Sequence, residues 1–284
     1  MITSTDNPKE TEREFEPLLA VAARIRGRII QLSHQARTPH LGSSLSFVEL
    51  LVYLYWNFLE ISPIQVKDPA RDRFILSKGH GITTLYAVLA ERGFFSPELF
   101  ENYAQAGSLL PEHPSPCCVP GIEAATGSLG HGLSISLGMA LASKMNGIPF
   151  NVVTLLSDGE CNEGSTWEAA LLAPAHKLDN LIAMVDFNKW QATGRSAEIT
   201  ALEPLEKKFE AFGWNSLRID GHDFRQIQSA LATARQSDKP FAIVADTVKG
   251  KGIKVMEDDN NWHYRIPTEE EVESAFLELG LESL

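Results

Sequence analysis

Two uninterrupted apolar runs in the middle of the chain give the clearest structural signal. Residues 152–156 and 181–185 are rich in Val, Ile and Leu, which is typical of parallel strands buried on both faces. Further strands are predicted at 73–76, 216–219 and 241–246. Helical periodicity lies between the strands, so the pattern predicts an α/β fold with a mainly parallel sheet and helices on both faces.

Apolar positions at three- and four-residue spacing predict the helices. They cover residues 18–36, 47–60, 82–92, 133–145, 165–176 and 224–234, and an acidic helix in the C-terminal tail. Ser46 with Glu49, and Thr268 with Glu271, have the spacing of capping boxes. Each pair is therefore predicted to begin a helix.

No repeat, low-complexity stretch or interdomain linker divides the chain, which predicts one domain. Residues 1–17 are expected to form a flexible N-terminal arm, residues 18–266 the main domain, and residues 267–284 an acidic C-terminal helix. Residues 39–44 and the Pro-, Gly- and Cys-rich stretch 107–125 are predicted to be loops.

Composition narrows the function classes. The 284 residues are 44% hydrophobic and 22% charged, as in ordinary globular proteins. The formal charge of −12 argues against non-specific binding to nucleic acid or anionic membranes. The longest apolar stretch, residues 45–61, is too short and too interrupted to span a bilayer, and the N-terminus has no apolar signal core. A cytoplasmic protein is expected.

Several common sites are disfavoured by the absence of their motifs. The three cysteines (Cys117, Cys118 and Cys161) are odd in number and form no Cys-x-x-Cys pair, which argues against a disulfide framework or a thiolate metal site. No phosphate-binding P-loop motif occurs, and no Gly-x-Gly-x-x-Gly opens a helix. A nucleotide-binding module is therefore disfavoured.

Polar residues follow the two middle strands. Asp158 and Asn188 stand 30 positions apart, a distance that suits one strand–helix–strand unit. Parallel sheets bind ligands outside the carboxyl ends of their strands. Carboxylate and amide oxygens are hard ligands for Mg²⁺, which takes its remaining ligands from phosphate and water. The sequence therefore predicts a metal–diphosphate site.

Short motifs from about residue 20 to 266 make the chain resemble the N-terminal, diphosphate-binding half of transketolase, a thiamine diphosphate enzyme. In order, they are His40-Leu-Gly, Leu76-Ser-Lys-Gly-His80-Gly, Glu112-His113-Pro114, Gly127-Ser-Leu-Gly130, Asp158-Gly159, Asn188 and Trp262-His263. Each motif is weak alone, but the whole set in family order is a strong signal. The resemblance implies the thiamine-diphosphate-binding fold, with residues 18–266 as the domain for cofactor and metal.

The resemblance also implies roles for individual residues. Asp158 and Asn188 would be side-chain ligands of Mg²⁺ (or of Ca²⁺ or Mn²⁺ in its place), with the Trp190 backbone carbonyl as a third ligand. The catalytic residues would be His40, His80, His113 and His263. The cofactor-binding residues would be His80, Gly127, Leu129, Gly130, Asp158, Gly159, Glu160, Asn188 and His263. The subunit contact would include Glu163 and Glu168.

A second polypeptide is implied as well. One-chain transketolases continue into a pyrimidine-binding domain and a C-terminal domain, and this chain stops before both. The implied protein is the N-terminal subunit of a two-chain transketolase. With a C-terminal subunit that carries the pyrimidine-binding domain, in an α2β2 assembly, it would transfer a two-carbon ketol unit from a ketose or ketose phosphate to an aldose or aldose phosphate.

Two alternatives stay open. One is a subunit of a related thiamine diphosphate synthase, of the deoxyxylulose-phosphate type, against which the run Leu76–Gly81 argues. The other is a non-catalytic regulatory subunit, against which the retained ligands and four histidines argue. Lys249 and Lys251 are interpreted as residues of a solvated turn, and His222 as a structural histidine.

Overall fold

The computed structural model describes residues 8–116 and 118–283, with side chains from residue 14 onward in those ranges. Within these ranges, no helix has both the length and the apolar character that a membrane crossing requires. The described cysteines, Cys118 and Cys161, are free thiols, whereas Cys117 lies outside the described residues.

A parallel sheet forms the centre of the domain. Its five described strands are β1 (Arg73–Leu76), β2 (Val152–Ser157), β3 (Leu181–Phe187), β4 (Asn215–Asp220) and β5 (Phe241–Asp246). Their order is β1-β2-β3-β5-β4, and every neighbouring pair is parallel. The sheet and its strands therefore confirm the predicted α/β class.

Helices cover both faces of the sheet. Those in the described residues are α1 (Pro8–Ala36), α2 (Leu41–Leu45), α3 (Val48–Tyr53), α4 (Ile82–Glu91), α5 (Gly132–Asn146), α6 (Gly164–Ala175), α7 (Ser196–Ile199), α8 (Leu205–Ala211), α9 (Phe224–Arg235) and α10 (Glu269–Glu278). Successive β2 side chains point to opposite faces. Val153 and Leu155 join a core with α1, α3, α4 and α9, while Val152 and Leu156 join a core with α5, α6 and α8.

Helix α1 begins at Pro8 rather than at Leu18, so the expectation of a flexible arm over residues 1–17 is wrong for residues 8–17. Proline is well tolerated in the first turn of a helix. Phe15 continues the apolar stripe of α1 and stacks on Phe224 at a ring distance of 5.8 Å. Residues 1–7 lie outside the described residues.

Two predictions near the start of the domain are wrong. The predicted loop at 39–44 contains helix α2, whereas the predicted helix 47–60 is confirmed over most of its length, as α3 followed directly by a π-helix at Leu54–Phe58. The Ser46–Glu49 capping box does not form, because both side chains have long-range partners. Ser46 Oγ donates to Asp186 Oδ2 at 2.6 Å, and Glu49 pairs with Arg26 at 2.6 Å.

The predicted helix in the C-terminal tail is present as α10. Thr268 and Glu271 form the predicted capping box at the start of α10, and Ala275 on this helix is buried in the core beside α1. Thr268 Oγ1 accepts from the Glu271 backbone N–H at 3.3 Å, and Glu271 Oε2 accepts from the Thr268 backbone N–H at 2.9 Å. Sequence analysis did not identify α7 and α8.

Candidate functional site

The tips of β2 and β3 bring Asp158 and Asn188 together, as the sequence predicted. The register pairs Ser157 with Asp186, so the two polar residues follow neighbouring strand ends. Both side chains are buried. Asp158 accepts hydrogen bonds from the Gly159 backbone N–H at 2.8 Å and from Ser196 Oγ at 2.6 Å.

Burial raises the pKa of Asp158 to about 6, and the nearby Asp186 charge adds to the effect. A neighbouring cation would favour the ionised carboxylate. No group of three or more His, Cys, Asp or Glu side chains within residues 8–116 and 118–283 is arranged to hold a metal. The oxygen atoms of Asp158 and Asn188 are the donor type that fits a hard cation, which would take further ligands from backbone carbonyls and from a bound phosphate.

A buried ion pair that sequence analysis missed lies beneath these residues. Lys78 and Asp186 form a salt bridge and are both fully buried. Asp186 also accepts from Ser46 Oγ at 2.6 Å, from Thr247 Oγ1, and from Asn188 Nδ2 at 3.2 Å. Because Asp186 holds the amide nitrogen of Asn188, the amide oxygen points away from the ion pair, where it accepts from the Trp190 backbone N–H at 3.1 Å.

Electrostatics keep Asp186 ionised. Burial alone would raise its pKa, but the Lys78 ammonium and the hydrogen bonds to the carboxylate outweigh burial and lower the pKa. Lys78 Nζ also donates to the Ser43 carbonyl at 3.0 Å and lies 4.4 Å from the centre of the Phe47 ring. The run Ser77-Lys78-Gly79 was the only signal for this lysine in the sequence.

Four histidines that are distant in the sequence converge beside the strand tips. The His40 ring centre lies 5.3 Å from that of His80, 6.4 Å from that of His113 and 4.9 Å from that of His263. The His40 backbone N–H donates to the His263 carbonyl at 2.8 Å, which joins two of the segments that carry them. All four predicted histidines therefore belong to one cluster.

Three histidines of the cluster have lowered pKa values and are neutral near pH 7. Burial, followed by the charges of His113, Lys249 and Lys78, lowers the pKa of His40 to about 4. Burial and the neighbouring cationic groups lower the pKa of His263 to about 3 and that of His80 well below its ordinary value. Each neutral imidazole has one donor and one acceptor nitrogen, so the cluster suits hydroxyl groups and proton transfer.

The interpretation of Lys249 as part of a solvated turn is wrong, because Lys249 is buried. Its side chain is only 1% exposed, and Nζ donates to Asn260 Oδ1 at 2.7 Å and lies 3.2 Å from His263 Nδ1. Burial and the Lys78 charge lower its pKa to about 8. Lys251 does lie near the surface, where it pairs with Glu257 at 3.3 Å.

The glycine loop approaches the cleft too closely for larger residues. Gly127 has φ 136°, and a Cβ there would come within 2.5 Å of the His113 ring. Gly130 has φ 85°, and its backbone N–H donates to Glu160 Oε1 at 2.8 Å. Glu160 is fully buried and supports this loop rather than lining the cleft, and burial raises its pKa.

The loop after Asn188 is fixed by an exposed ion pair. Arg195 and Asp258 form two hydrogen bonds of 2.6 Å, and Trp190 Nε1 donates to Asp258 Oδ1 at 2.8 Å. The Arg195 guanidinium lies 3.7 Å from the centre of the Trp190 ring. These contacts position the Trp190 backbone, which the family resemblance implied as the source of a metal ligand.

A cleft of about 400 Å³ collects most of the predicted residues. Those that line it are His40, His80, His113, Gly127, Leu129, Gly159, Glu163, Asn188, Trp190 and His263. Gly130, Asp158 and Glu160 lie next to lining residues, and Glu168 is exposed on α6. The cleft is therefore bounded by the strand tips, the glycine loop and the histidine cluster.

The family model for the thiamine diphosphate-binding domain of transketolase matches residues 19–283. One subunit of the apulose-4-phosphate transketolase of Phocaeicola vulgatus is 38% identical over 271 residues, which are 94% of this chain and 95% of that protein. The 6-deoxy-6-sulfo-D-fructose transketolase subunit SqwG of a Clostridium species is 44% identical over 244 residues, 86% of this chain and 89% of that protein.

A solved structure agrees with these sequence relatives. The crystal structure of transketolase from Campylobacter jejuni superposes with a TM-score of 0.89 at 31% identity, over 94% of this chain and 43% of that one. The chain thus spans less than half the length of that transketolase. It belongs to the transketolase family and forms the thiamine diphosphate-binding domain of that family.

Proposed function

We propose that this chain is the N-terminal, cofactor-binding subunit of a two-chain transketolase. The observation that carries the proposal is the pairing of Asp158 and Asn188 at neighbouring strand tips, in one cleft with four histidines. Relatives named as single subunits of apulose-4-phosphate transketolases match over nearly their whole length, 95% and 96%. Because these relatives are named as subunits, they support the assignment to a split enzyme.

In this proposal the cleft holds Mg²⁺ and the diphosphate of thiamine diphosphate. Asp158, Asn188 and the Trp190 carbonyl bind the cation, for which Ca²⁺ or Mn²⁺ could substitute. Gly127 and Gly130 let the backbone approach the diphosphate, and Gly159 contributes its backbone beside the cation. When bound, thiamine diphosphate supplies the carbanion chemistry of two-carbon transfer, and the protein contributes binding and orientation.

The histidine cluster then acts on the sugar hydroxyls. Burial holds His40 and His80 uncharged near pH 7, so each keeps an acceptor nitrogen that can receive a hydroxyl proton. Lys249 adds a positive charge beside His263, which keeps that imidazole unprotonated. The cluster would therefore orient a ketose or aldose, and its neutral imidazoles would move the protons of the sugar hydroxyls.

The second subunit would provide the pyrimidine-binding domain and most contacts to the sugar phosphate. We propose an α2β2 assembly in the cytoplasm, with Glu163 and Glu168 at the subunit contact. Both glutamates are exposed at α6, and Glu163 also lines the cleft. Exposed carboxylates at a cleft rim are available to a partner, which supports this assignment.

The open alternatives have less support. The relatives with the described matches are named transketolases, which favours ketol transfer over a deoxyxylulose-phosphate synthase. The complete set of ligands and histidines argues against a regulatory subunit. Incubation of the assembled complex with pyruvate would separate the enzymes, because the synthase releases CO₂ and transketolase acting on a ketose phosphate does not.

The test of the proposed site is Asp158→Ala in the complex with the partner subunit. We expect Mg²⁺-dependent binding of thiamine diphosphate to be lost in calorimetry, because the cation loses its only carboxylate ligand in the proposed set. The control is Asp238→Ala, which removes an exposed carboxylate away from the cleft. Equal affinity of Asp158→Ala and the wild-type protein would refute the site.

A further inference from the structure

Gln191 lines the cleft and was not identified by sequence analysis. It follows Trp190 in the loop, and its backbone N–H donates to the Gly194 carbonyl at 2.8 Å. Its side-chain Nε2 is buried and has no hydrogen-bond partner among the residues that the structure describes. Buried polar groups are almost always paired in folded proteins, so this amide points to a ligand.

The other end of the Gln191 amide is already occupied. Thr200 Oγ1 donates to Asn162 Oδ1 at 2.7 Å, and Asn162 Nδ2 donates to Gln191 Oε1 at 3.0 Å. These hydrogen bonds link the two amides, and the structure orients them so that Gln191 Oε1 is the paired atom. The group left without a partner is therefore a donor, with two N–H bonds.

Gln191 also lies beside the candidate metal ligand. A Cβ placed on Gly159 would be 3.2 Å from Gln191 Cγ and 3.5 Å from its Cδ, and Gly159 directly follows Asp158. The absence of a side chain at position 159 therefore lets the amide pack against the backbone next to the proposed cation. A phosphate bound to that cation would bring anionic oxygens to the same part of the cleft.

We propose that Gln191 Nε2 is a donor to a phosphate oxygen of the cofactor. This inference rests on the proposed function, because it needs the diphosphate to lie at the strand tips. The amide adds a hydrogen bond without adding charge, which suits a cleft that would already hold a divalent cation. The chemical group that it recognises is a diphosphate oxygen bound to Mg²⁺.

The reverse orientation makes a different prediction. If both amides of Asn162 and Gln191 were turned round, an acceptor would face the cleft and would favour the cation instead of the anion. Gln191→Glu keeps an acceptor and removes the donor, whereas Gln191→Met keeps the length and removes both. The two variants therefore separate the two orientations.

The experiment uses the full chain in complex with its partner and measures binding of inorganic pyrophosphate with Mg²⁺ by calorimetry. We expect Gln191→Met to weaken binding about tenfold, as for the loss of one hydrogen bond to a charged group, and Gln191→Glu to weaken it further through repulsion. Gln236→Met, at an exposed position after α9, is the matched control and should bind as the wild-type protein does.

A second measurement does not depend on variants that fold well. In the wild-type complex, the side-chain NH₂ resonance of Gln191, assigned by its absence in Gln191→Met, should shift on addition of pyrophosphate with Mg²⁺. Unchanged affinity of folded Gln191→Met, no shift in the wild-type complex, or tighter Mg²⁺-dependent binding by Gln191→Glu would overturn the inference.

These outcomes are distinct from failure of the proposed function. If the wild-type complex binds pyrophosphate and Asp158→Ala does not, an unaffected Gln191→Met overturns only the role of Gln191. If the wild-type complex binds neither pyrophosphate nor thiamine diphosphate with Mg²⁺, both proposals are wrong.

Discussion

Two groups of buried charged side chains contact the loop 247–251. The cleft-floor pair consists of Lys78 and Asp186, and Asp186 accepts from Thr247 Oγ1. The rear cluster consists of Arg26, Glu49 and His222. Its members are buried or nearly so, yet none of them lines the cleft.

The rear cluster holds the backbone on both sides of Lys249. Arg26 Nη2 donates to both Glu49 oxygens at 2.6 and 2.8 Å, and its Nε donates to the Lys251 carbonyl at 2.8 Å. The Val248 N–H donates to His222 Nε2 at 2.9 Å. This leaves His222 Nδ1, 3.0 Å from Glu49 Oε2, to carry the proton of the ring.

Both groups contain a buried ion pair, but the two pairs hold different parts of the site. Asp186 in the cleft-floor pair orients Asn188 directly, whereas the rear cluster acts on the Lys249 loop through backbone atoms. A buried ion pair contributes little net stability, but the removal of one partner is costly. Variants of the cleft-floor pair should therefore affect stability and cofactor binding together, and variants of the rear cluster should affect mainly stability.

The largest effect is expected for Lys78→Met. It leaves the Asp186 carboxylate buried without its cation, which should cost about 3–5 kcal/mol of unfolding free energy, measured by urea denaturation. Cofactor binding should also fall, because Asn188 loses its fixed carboxylate partner. Lys144→Met breaks the exposed Lys144–Asp179 pair and should cost at most about 1 kcal/mol.

The double variant Lys78→Met/Asp186→Leu sharpens this comparison. It removes both charges, so much of the lost stability should return, while cofactor binding stays weak. Recovery of both properties would show that the cleft-floor pair serves only the fold.

The next effect is kinetic and confined to the cleft. His80→Ala should slow turnover of the assembled enzyme by about 10²–10⁴-fold, as for a positioned acid or base, and should weaken cofactor binding much less. His34→Ala is the control, because the His34 ring contacts the Pro267 carbonyl at 2.8 Å outside the cleft. Equal losses of turnover and affinity in His80→Ala would indicate a structural role.

The smallest expected effect is the pH dependence of the unfolding free energy that Glu49 of the rear cluster causes. Burial alone would raise the pKa of Glu49, but the Arg26 charge and the contacts with His222 and Arg26 outweigh it and lower the pKa to about 2. Because this value is below the ordinary 4.5, the carboxylate stabilises the fold fully above about pH 4.5. That contribution, about 3 kcal/mol, is lost as the pH falls toward 2.

Urea denaturation of the wild-type protein and Glu49→Gln at several pH values tests this. The difference in their unfolding free energies should be largest at neutral pH and should shrink steadily below about pH 4.5. Glu270→Gln, at an exposed position in the first turn of α10, is the control and should show a much smaller change. A difference that is constant between pH 7 and pH 3 would contradict the prediction.

The sequence by itself predicted the sheet and the composition of much of the cleft. The apolar runs at β2 and β3 are local and unbroken, so their positions and the placement of Asp158 and Asn188 followed from the parallel geometry. The four histidines were found through a family resemblance. Their proximity could not be derived from spacing, since His40 and His263 are far apart in the chain and become neighbours only after folding.

Tertiary structure decided what the buried charges do. Ser46 and Glu49 have the spacing of a capping box. In the fold, however, they bind the buried partners Asp186 and Arg26 instead of forming the local capping hydrogen bonds. Lys249 reads as a surface lysine but packs beneath the histidine cluster. A side chain's charge and length are written in the sequence, whereas its solvation and partners depend on which distant segments the fold brings against it.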